Sequence, residues 1–545
     1  MPTLTTRRKL ARPCFIWLLL GGLLLAACQP ADLPPSLTLN SSPPPTAAAP
    51  TVTVTTAVTL PPPPELTAVP TAEADPTPLS TRSDEIILAV PPEWAGAGQA
   101  AVSQIASSGD ERLWQLQVVE QPAAALAQGE ASMALVRDEA GHPVTAEPLA
   151  FVVPFATEQE AISLEDARVI MTDGHPTITM RRWPQLFPEE RALAVDGRYP
   201  WDPGYPVQEV WSLQANAGWE SAAAQMAAVL RREMTAEAPI RLTAVGDIML
   251  ARGLGYMLAQ GDIPYPFAGL ADVLARGDLT VGNLESALGD AGQPEAKAYP
   301  FLAPVEAAES LSVTGFDVMS LANNHAMDYG SEALLQGIRL LQQQGVTAVG
   351  AGGDEEAAHT ARLLSANGVT VAFLAYVHVP VEADSGFDAA DWTATADSPG
   401  LAWGDPAAIT ADVVAARTQA DVVVVLLHSG HEYEEAPSRP QVAAAHAAID
   451  AGADLVLGHH AHILQGIEFY HGGVIAYGLG NFAFNIAGPP ESMILEVWLD
   501  RQGVRQLSLI PVIVQETGQP RLADSAEAQS IRQKVYFLTR LLNNP

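Results

Sequence analysis

Three imidazoles in four positions, His459, His460 and His462, close an apolar run within Ala453–Glu468, ADLVLGHHAHILQGIE. Imidazole nitrogen is the commonest metal ligand among side chains, and a loop just past a buried strand can aim two rings at one ion. A short histidine cluster is also the composition of a solvated turn. Four further apolar runs end in the same way and favour the first reading: LTAVGDIM, LTVGNLES, DVMSLANNH and VVVVLLHSG. The first presents Asp247 after a glycine that leaves room for close approach. Its carboxylate can bridge two cations or merely form a turn. The second sets Asn283 and Glu285 two apart, on one face of an extended chain, where either can bind metal. The third crowds Asn323, Asn324 and His325 into one loop with Asp328 three residues on, an amide ligand beside a histidine suited to donating a proton. The fourth ends in His428, and Glu432 follows in HSGHEYEEAP. Oxygen and imidazole donors without thiolate suit Mn, Mg, Fe or Zn rather than a structural cysteine–zinc site.

Loops of this kind need strands behind them. Past Ile240 apolar strands alternate with helices, which predicts a layered α/β fold with its site beyond the carboxyl ends of the strands. Ten of the twelve histidines lie in this half. Ser331 is expected to cap a helix with Leu334, Ile338 and Leu341 on one face, and Pro440 to open another that stops at Gly452. Met493–Leu499 and Val504–Val514 flank Asp500-Arg501-Gln502-Gly503 and predict a hairpin extending a second sheet.

At 545 residues the chain exceeds one ordinary core, so two folded domains with tails are expected. With 28 basic against 62 acidic residues its net charge is −34, which disfavours nucleic acid as a partner. Lys297 is one of only three lysines. Arg7, Arg8, Lys9 and Arg12 precede the apolar stretch Phe15–Ala27, whose 13 residues suit a signal peptide better than a membrane span. Its end, Leu25-Ala26-Ala27-Cys28, resembles a bacterial lipobox, so residues 1–28 are expected to be a lipoprotein signal with Cys28 lipidated and anchored to a membrane outside the cytoplasm. Residues 29–83, rich in Pro, Thr and Ala, read as a disordered, extended tether. Residues 84–238 predict a small α/β domain with strands at Ile86–Val90, Leu113–Val119, Met133–Val136 and Leu149–Val153, a short helix Ala167–Met171 behind a capping box at Ser163, and a longer helix Trp219–Glu233. The order from Val136 to Gly174 resembles part of a periplasmic solute-binding domain of the phosphate-binding type. A spacer domain without a ligand fits the same residues.

From about Arg241 to Phe484 the motifs, in order, resemble the bacterial capsule synthesis protein CapA family, found also in poly-γ-glutamate biosynthesis. They are GDIM, GNLES, KAYPFLAP, NNHAMDYG, HSGHEYE, GHHAH and YGLGNF. The resemblance implies a fold like that of calcineurin-type metallophosphoesterases, a two-sheet sandwich flanked by helices over 239–490, completed by a hairpin and helix in 491–545. Carried over by position, Asp247, Glu285, Asn324, His428, His460 and His462 would hold one or two divalent ions, with His325 as acid. Lys297, Asn283, Asn323, His459 and Glu432 would face the substrate. Met249 stands where metallophosphoesterases carry a histidine, implying one ligand fewer. Ser429 stands where the family often has tryptophan, implying the loss of an aromatic wall. The implied activity is metal-assisted hydrolysis or transfer on a phosphoester or an anionic surface polymer, in contact with capsule or polymer export machinery. The competing expectation is a non-catalytic module that binds envelope polymer or scaffolds export.

Overall fold

The computed structural model describes residues 85–543 apart from 139, 235–238, 383–385 and 486–487. The signal segment, Cys28 and the 29–83 tract lie outside the described residues. Among the described residues no helix is long and apolar enough to cross a membrane.

In the amino-terminal part, Glu85–Val90 lies between Leu113–Val118 and Met133–Val136, both parallel to it, and Gln208–Ala215 and His142–Pro148 complete a five-stranded sheet antiparallel at that edge. The intervening residues form a lobe with its own apolar cluster around Phe151, Leu193 and Val195. Ser163 and Asp166 form the expected capping box, and the helix it opens, Leu164–Asp173, starts three residues earlier than the apolar pattern suggests.

Among the described residues the larger part holds two large sheets, beside two short two-stranded ones. In the first, β1 (Ile240–Met249), β2 (Leu279–Leu284), β3 (Val318–Ser320) and β4 (Thr347–Val349) run parallel in spatial order β4-β3-β2-β1. The second contains β5 (Arg362–Ala366), β6 (Val369–His378), β7 (Val422–Ser429), β8 (Leu455–His459), β9 (Ile467–Tyr470) and β10 (Gly473–Ala476), in order β5-β6-β7-β8-β10-β9. The chain then returns to the first sheet. There β11 (Asn481–Phe484) pairs with β1 beyond a register shift, and β12 (Glu491–Asp500), β13 (Gly503–Val514) and β14 (Pro520–Leu522) follow on. The expected hairpin is therefore β12–β13, but it does not extend a second sheet: it pairs antiparallel with β1 and places that strand inside the first.

Alternation along β6 and β7 shows what each face covers. Val371, Phe373 and Ala375, with Val422, Val424 and Leu426, enter one core shared with Leu242, Leu495, Val497 and Leu507 of the first sheet. Leu374, Tyr376, Val423 and Val425 face the opposite way, into a core with helices α2 (Pro406–Arg417) and α3 (Arg439–Asp450). A strand buried on both faces reads as the unbroken run VVVVLL, since neither side meets water. The helix after β3, α1 (Gly330–Gln343), buries Leu334 and Leu341 as expected, but it follows Tyr329 without a side-chain cap and Ser331 lies within its first turn. α3 is capped by Ser438 through a capping box with Gln441, and Pro440 stands in its opening turn, as expected. The last helix, α4 (Ser525–Asn543), packs on β9 and β13.

Two glycines allow the strand ends to converge. A Cβ on Gly246 would stand 1.8 Å from the Gly480 carbonyl oxygen, and one on Gly458 2.0 Å from that of Tyr477. Both oxygens are already engaged, that of Gly480 by the Asp247 N–H at 3.0 Å and that of Tyr477 by Gln441 Nε2 at 3.1 Å. Gly246→Ala is expected to lower stability by about 3 kcal/mol, the upper range for overpacking, with the loss read as a reduced midpoint in urea denaturation.

Candidate metal centre

The parallel strands deliver their carboxyl ends to one place. Asp247 is the register partner of Asn283 on one side and of Asn481 on the other, and His428 is that of His459 in the second sheet. Glu285 follows β2, and Asn323 and Asn324 follow β3. All of these side chains are buried, together with His460 and His462.

Asp247 is the best-connected group. Its Oδ1 accepts from Asn283 Nδ2 (2.9 Å) and His459 Nδ1 (3.1 Å), and its Oδ2 from the backbone N–H of His460 (3.1 Å), with His462 Nδ1 at 3.4 Å. His462 Nδ1 also lies 2.9 Å from Asn481 Oδ1. Asn283 reaches His428 Nδ1 at 3.2 Å, which leaves His428 Nε2 toward Asn324 Oδ1 at 2.9 Å. Asn323 donates to Asn283 Oδ1 and to the Leu284 carbonyl, both at 2.9 Å.

Three overlapping groups bring one donor atom per residue within 4.8 Å of each other: Asp247, Glu285 and His462; Glu285, His428 and His460; and Glu432, His460 and His462. The carboxylate common to two groups is Glu285. Asp247, expected as able to bridge two ions, belongs to a single group, and the histidine loop contacts both of its oxygens. The residues fit a cation on three further observations. Glu285 Oε1, His459 Nε2 and His460 Nδ1 are buried without a hydrogen-bond partner, a costly condition for polar atoms. His460 and His462 hold φ of 86° and 55°, a left-handed backbone that costs a non-glycine residue about 1–2 kcal/mol. Finally, the donors are oxygen and imidazole only, the set suited to Mn, Fe, Zn or Mg.

Protonation follows from burial and neighbouring charge. Burial alone would raise the Asp247 carboxyl, but the hydrogen bonds and charges of His459 and His462 prevail and hold it well below the usual range. Glu285 is pushed well above its usual value, first by burial and then by the Asp247 charge. Burial and the neighbouring His460 keep His428 well below an ordinary imidazole, and burial with the His462 charge brings His460 down to about 3. Burial also acts to lower His462, yet Glu285 and Asp247 lift it to about 10. The pocket thus contains neutral imidazoles ready to coordinate beside one imidazolium that a cation would replace.

Next to this cluster, His325 donates from Nδ1 to Asp328 Oδ2 at 2.7 Å. Burial lowers its pKa, against the opposing pull of Asp328. Asp328 was visible in NNHAMDYG without a stated role. It also accepts from the Phe301 N–H (2.7 Å) and from Lys297 Nζ (2.9 Å). Lys297 is fully buried, pairs with Glu382 Oε1 at 3.0 Å, donates to the Asn324 carbonyl, and sits over the rings of Phe387 and Trp392. Its ammonium is therefore directed at protein acceptors. Glu432 is exposed at the rim. Met249 is buried with Phe301 and Phe484 behind the site. The aromatic wall expected to be missing at Ser429 has counterparts elsewhere: the rings of Tyr433 and Phe484 stand 6.0 and 5.1 Å from that of His462. Sequence reasoning assigned no role to Asn481 or Arg252. Arg252 is exposed, holds φ 49° and lies over Phe301 at 4.8 Å, and the Phe301 ring is 4.6 Å from His325.

Residues 241–486 match the family described as bacterial capsule synthesis protein PGA_cap. The chain is 32% identical over 320 residues to the capsule biosynthesis protein CapA of Bacillus anthracis, covering 57% of this chain and 75% of that one. It is also 32% identical over 297 residues to the PGA biosynthesis protein CapA of Bacillus subtilis (strain 168), covering 53% and 76%. Among solved structures, a hypothetical protein from Thermus thermophilus aligns with a TM-score of 0.34 at 16% identity, over 50% of this chain and 98% of that one.

Removing the carboxylate charge between His325 and Lys297 tests their dependence on it. Asp328→Asn is expected to cost about 3 kcal/mol, the lower range for breaking a buried ion pair because Glu382 remains, measured by chemical denaturation.

Proposed function

Because the chain belongs to the bacterial capsule synthesis protein family, whose members serve capsule and poly-glutamate biosynthesis, we propose that it is a metal-dependent hydrolase or transferase acting on a phosphoester or on an anionic surface polymer. The observation that carries this reading is Glu285, a buried carboxylate shared by two donor groups, with Oε1 unpartnered and grouped with His460, whose Nδ1 is unpartnered too. Asp247, Glu285, Asn324, His428, His460 and His462 would hold one or two divalent ions in the manner of metallophosphoesterases. A bound divalent ion supplies Lewis-acid polarisation of water and of a phosphoryl or acyl oxygen.

The chain's own residues do the rest. Asn283 and His459 fix the Asp247 carboxylate, and Asn481 fixes the ring of His462, so the donors are oriented before any ligand arrives. His325, oriented through Nδ1 by Asp328, presents Nε2 as the position from which a leaving oxygen takes its proton. Arg252 replaces Lys297 as the cation for an anionic group of the substrate, since it is exposed beside Phe301 while Lys297 is buried among acceptors. Lipidation of Cys28 would keep the domain outside the cytoplasm on a membrane, with the 29–83 tract as its tether. Polymer export machinery is the neighbouring assembly this placement suggests.

Elemental mass spectrometry and bis-p-nitrophenyl phosphate turnover on the full chain test the proposal together. One or two transition ions per chain are expected, lost with turnover in Asp247→Ala and His460→Ala. His325→Ala is expected to retain the metal and lose about 10²–10⁴ in kcat, the range for one general acid. Arg252→Ala is expected to raise KM with little change in kcat. Absence of metal after reconstitution with Mn, Fe and Zn, with no turnover, would refute the catalytic reading.

A further inference from the structure

A cavity of about 660 Å³ opens where the amino-terminal part meets the start of β1, within the ~300–1,000 Å³ typical of small-molecule sites. It is remote from the metal centre. Arg241, in its wall, precedes Asp247 by six residues on the same strand, which separates the two places by about 20 Å at a rise of ~3.3 Å per residue. Each structural part contributes to the walls: Glu147 from the edge strand His142–Pro148, Trp183 and Trp201 from the lobe, and Arg241 with its register partner Trp498 from the sheet.

The chemistry of these walls is specific. Trp201 lies 4.1 Å from Trp498 and is stacked on Tyr199 at 5.2 Å and 3°, so its ring is held in place. Trp183 and Trp201 are only half-buried. Arg241 is occupied over the Trp498 ring at 5.0 Å and near Glu496 at 3.7 Å. Glu147 is only 8% exposed, and its Oε2 is buried without a hydrogen-bond partner, as is Trp183 Nε1. One acceptor and one donor are therefore both unmet in a mainly apolar crevice. The charged residues of the wall cancel, Arg241 and Arg276 against Glu147 and Asp278.

A ligand for such a site must be electrically neutral, since a polyanion would meet two carboxylates and a cation two guanidiniums. It must offer a flat apolar face to indole, whose negative π-face attracts weakly positive C–H groups. Its edge must carry hydroxyls, which can donate to Glu147 and accept from Trp183. An alkyl chain fails the last requirement and leaves both polar atoms unmet. We propose that this cavity is a carbohydrate subsite that takes a pyranose ring of a neutral glycan on the half-buried ring of Trp183, with a ring hydroxyl on Glu147. The subsite would hold a glycan at a fixed distance from the metal centre, and it stands whether or not that centre is catalytic.

The three tryptophans supply the readout. Full-length chain is titrated with chitotetraose, cellotetraose and maltotetraose, and with γ-linked tetraglutamate as the anionic comparison, following indole emission and saturation-transfer NMR. At least one neutral tetrasaccharide is expected to bind saturably, with the C–H protons of one ring receiving the transfer. Glu147→Gln keeps the shape and is expected to weaken that binding about tenfold, the worth of a hydrogen bond to a charged group. Trp183→Ala is expected to weaken it further. Metal content and phosphodiester turnover should be unchanged in both. Should Trp183→Ala fail to fold, Glu147→Gln decides alone. The proposal is overturned if no tetrasaccharide binds by 10 mM, if binding is equal in wild type and Glu147→Gln, or if tetraglutamate binds instead.

Discussion

The rest of the structure depends on the carboxylate of Asp247. It lies in the interior at the end of β1 and receives donors from the neighbouring strand and from the histidine loop of the other sheet. A buried charge is tolerable only when its lone pairs are met, and these donors can meet them only if both sheets end at the same place. Gly246 and Gly458 permit that approach, and the left-handed turns at His460 and His462 complete it. The shared core beneath supplies the apolar burial that offsets these local costs.

Much of this was legible because two patterns coincide. VVVVLLHS has the period of a strand buried on both faces, and it becomes polar at the point where the sheet ends. The same change in LTAVGDIM and LTVGNLES marked Asp247, Asn283 and Glu285, and the structure brings them together. What sequence could not give was the division of labour among them. Which carboxylate is shared depends on side-chain directions in two different sheets, and on Asn283 and His459 having already claimed Asp247. The position of the β12–β13 hairpin was misjudged for a related reason: its alternation fits either sheet, and only the antiparallel register with Ile240–Ala244 decides between them. Lys297 was expected to face the substrate from its position in KAYPFLAP, and it is a rare lysine in an acidic chain. Rarity does not reveal that Asp328 and Glu382 stand within 3.0 Å of its ammonium.

The net charge of −34 bears on how an anionic substrate would be met. At physiological ionic strength the surface charges are screened over about 8 Å, so the overall acidity weakens long-range attraction without governing what happens inside the pocket. There the balance is local: Arg252 is exposed beside Phe301, and the Asp247 carboxylate is met by Asn283 and the histidine loop. A chain of this kind would approach a polyanion slowly and rely on short-range contacts for specificity. Those contacts all belong to the strand-end loops, in keeping with the general placement of sites in layered α/β folds.

Asp247 and His459 are 212 residues apart in the chain. Closing so long a loop is entropically expensive, though the cost grows only with the logarithm of its length, and nothing local forms this contact in advance. The centre therefore exists only once β1 and β8 have both been made and placed, after most of the domain has been threaded and packed. A chain still emerging from a ribosome carries the histidines but not the cage. On the proposed metal reading, chelation is a late event in the life of the molecule, and an ion meets its full set of donors only after both sheets have packed.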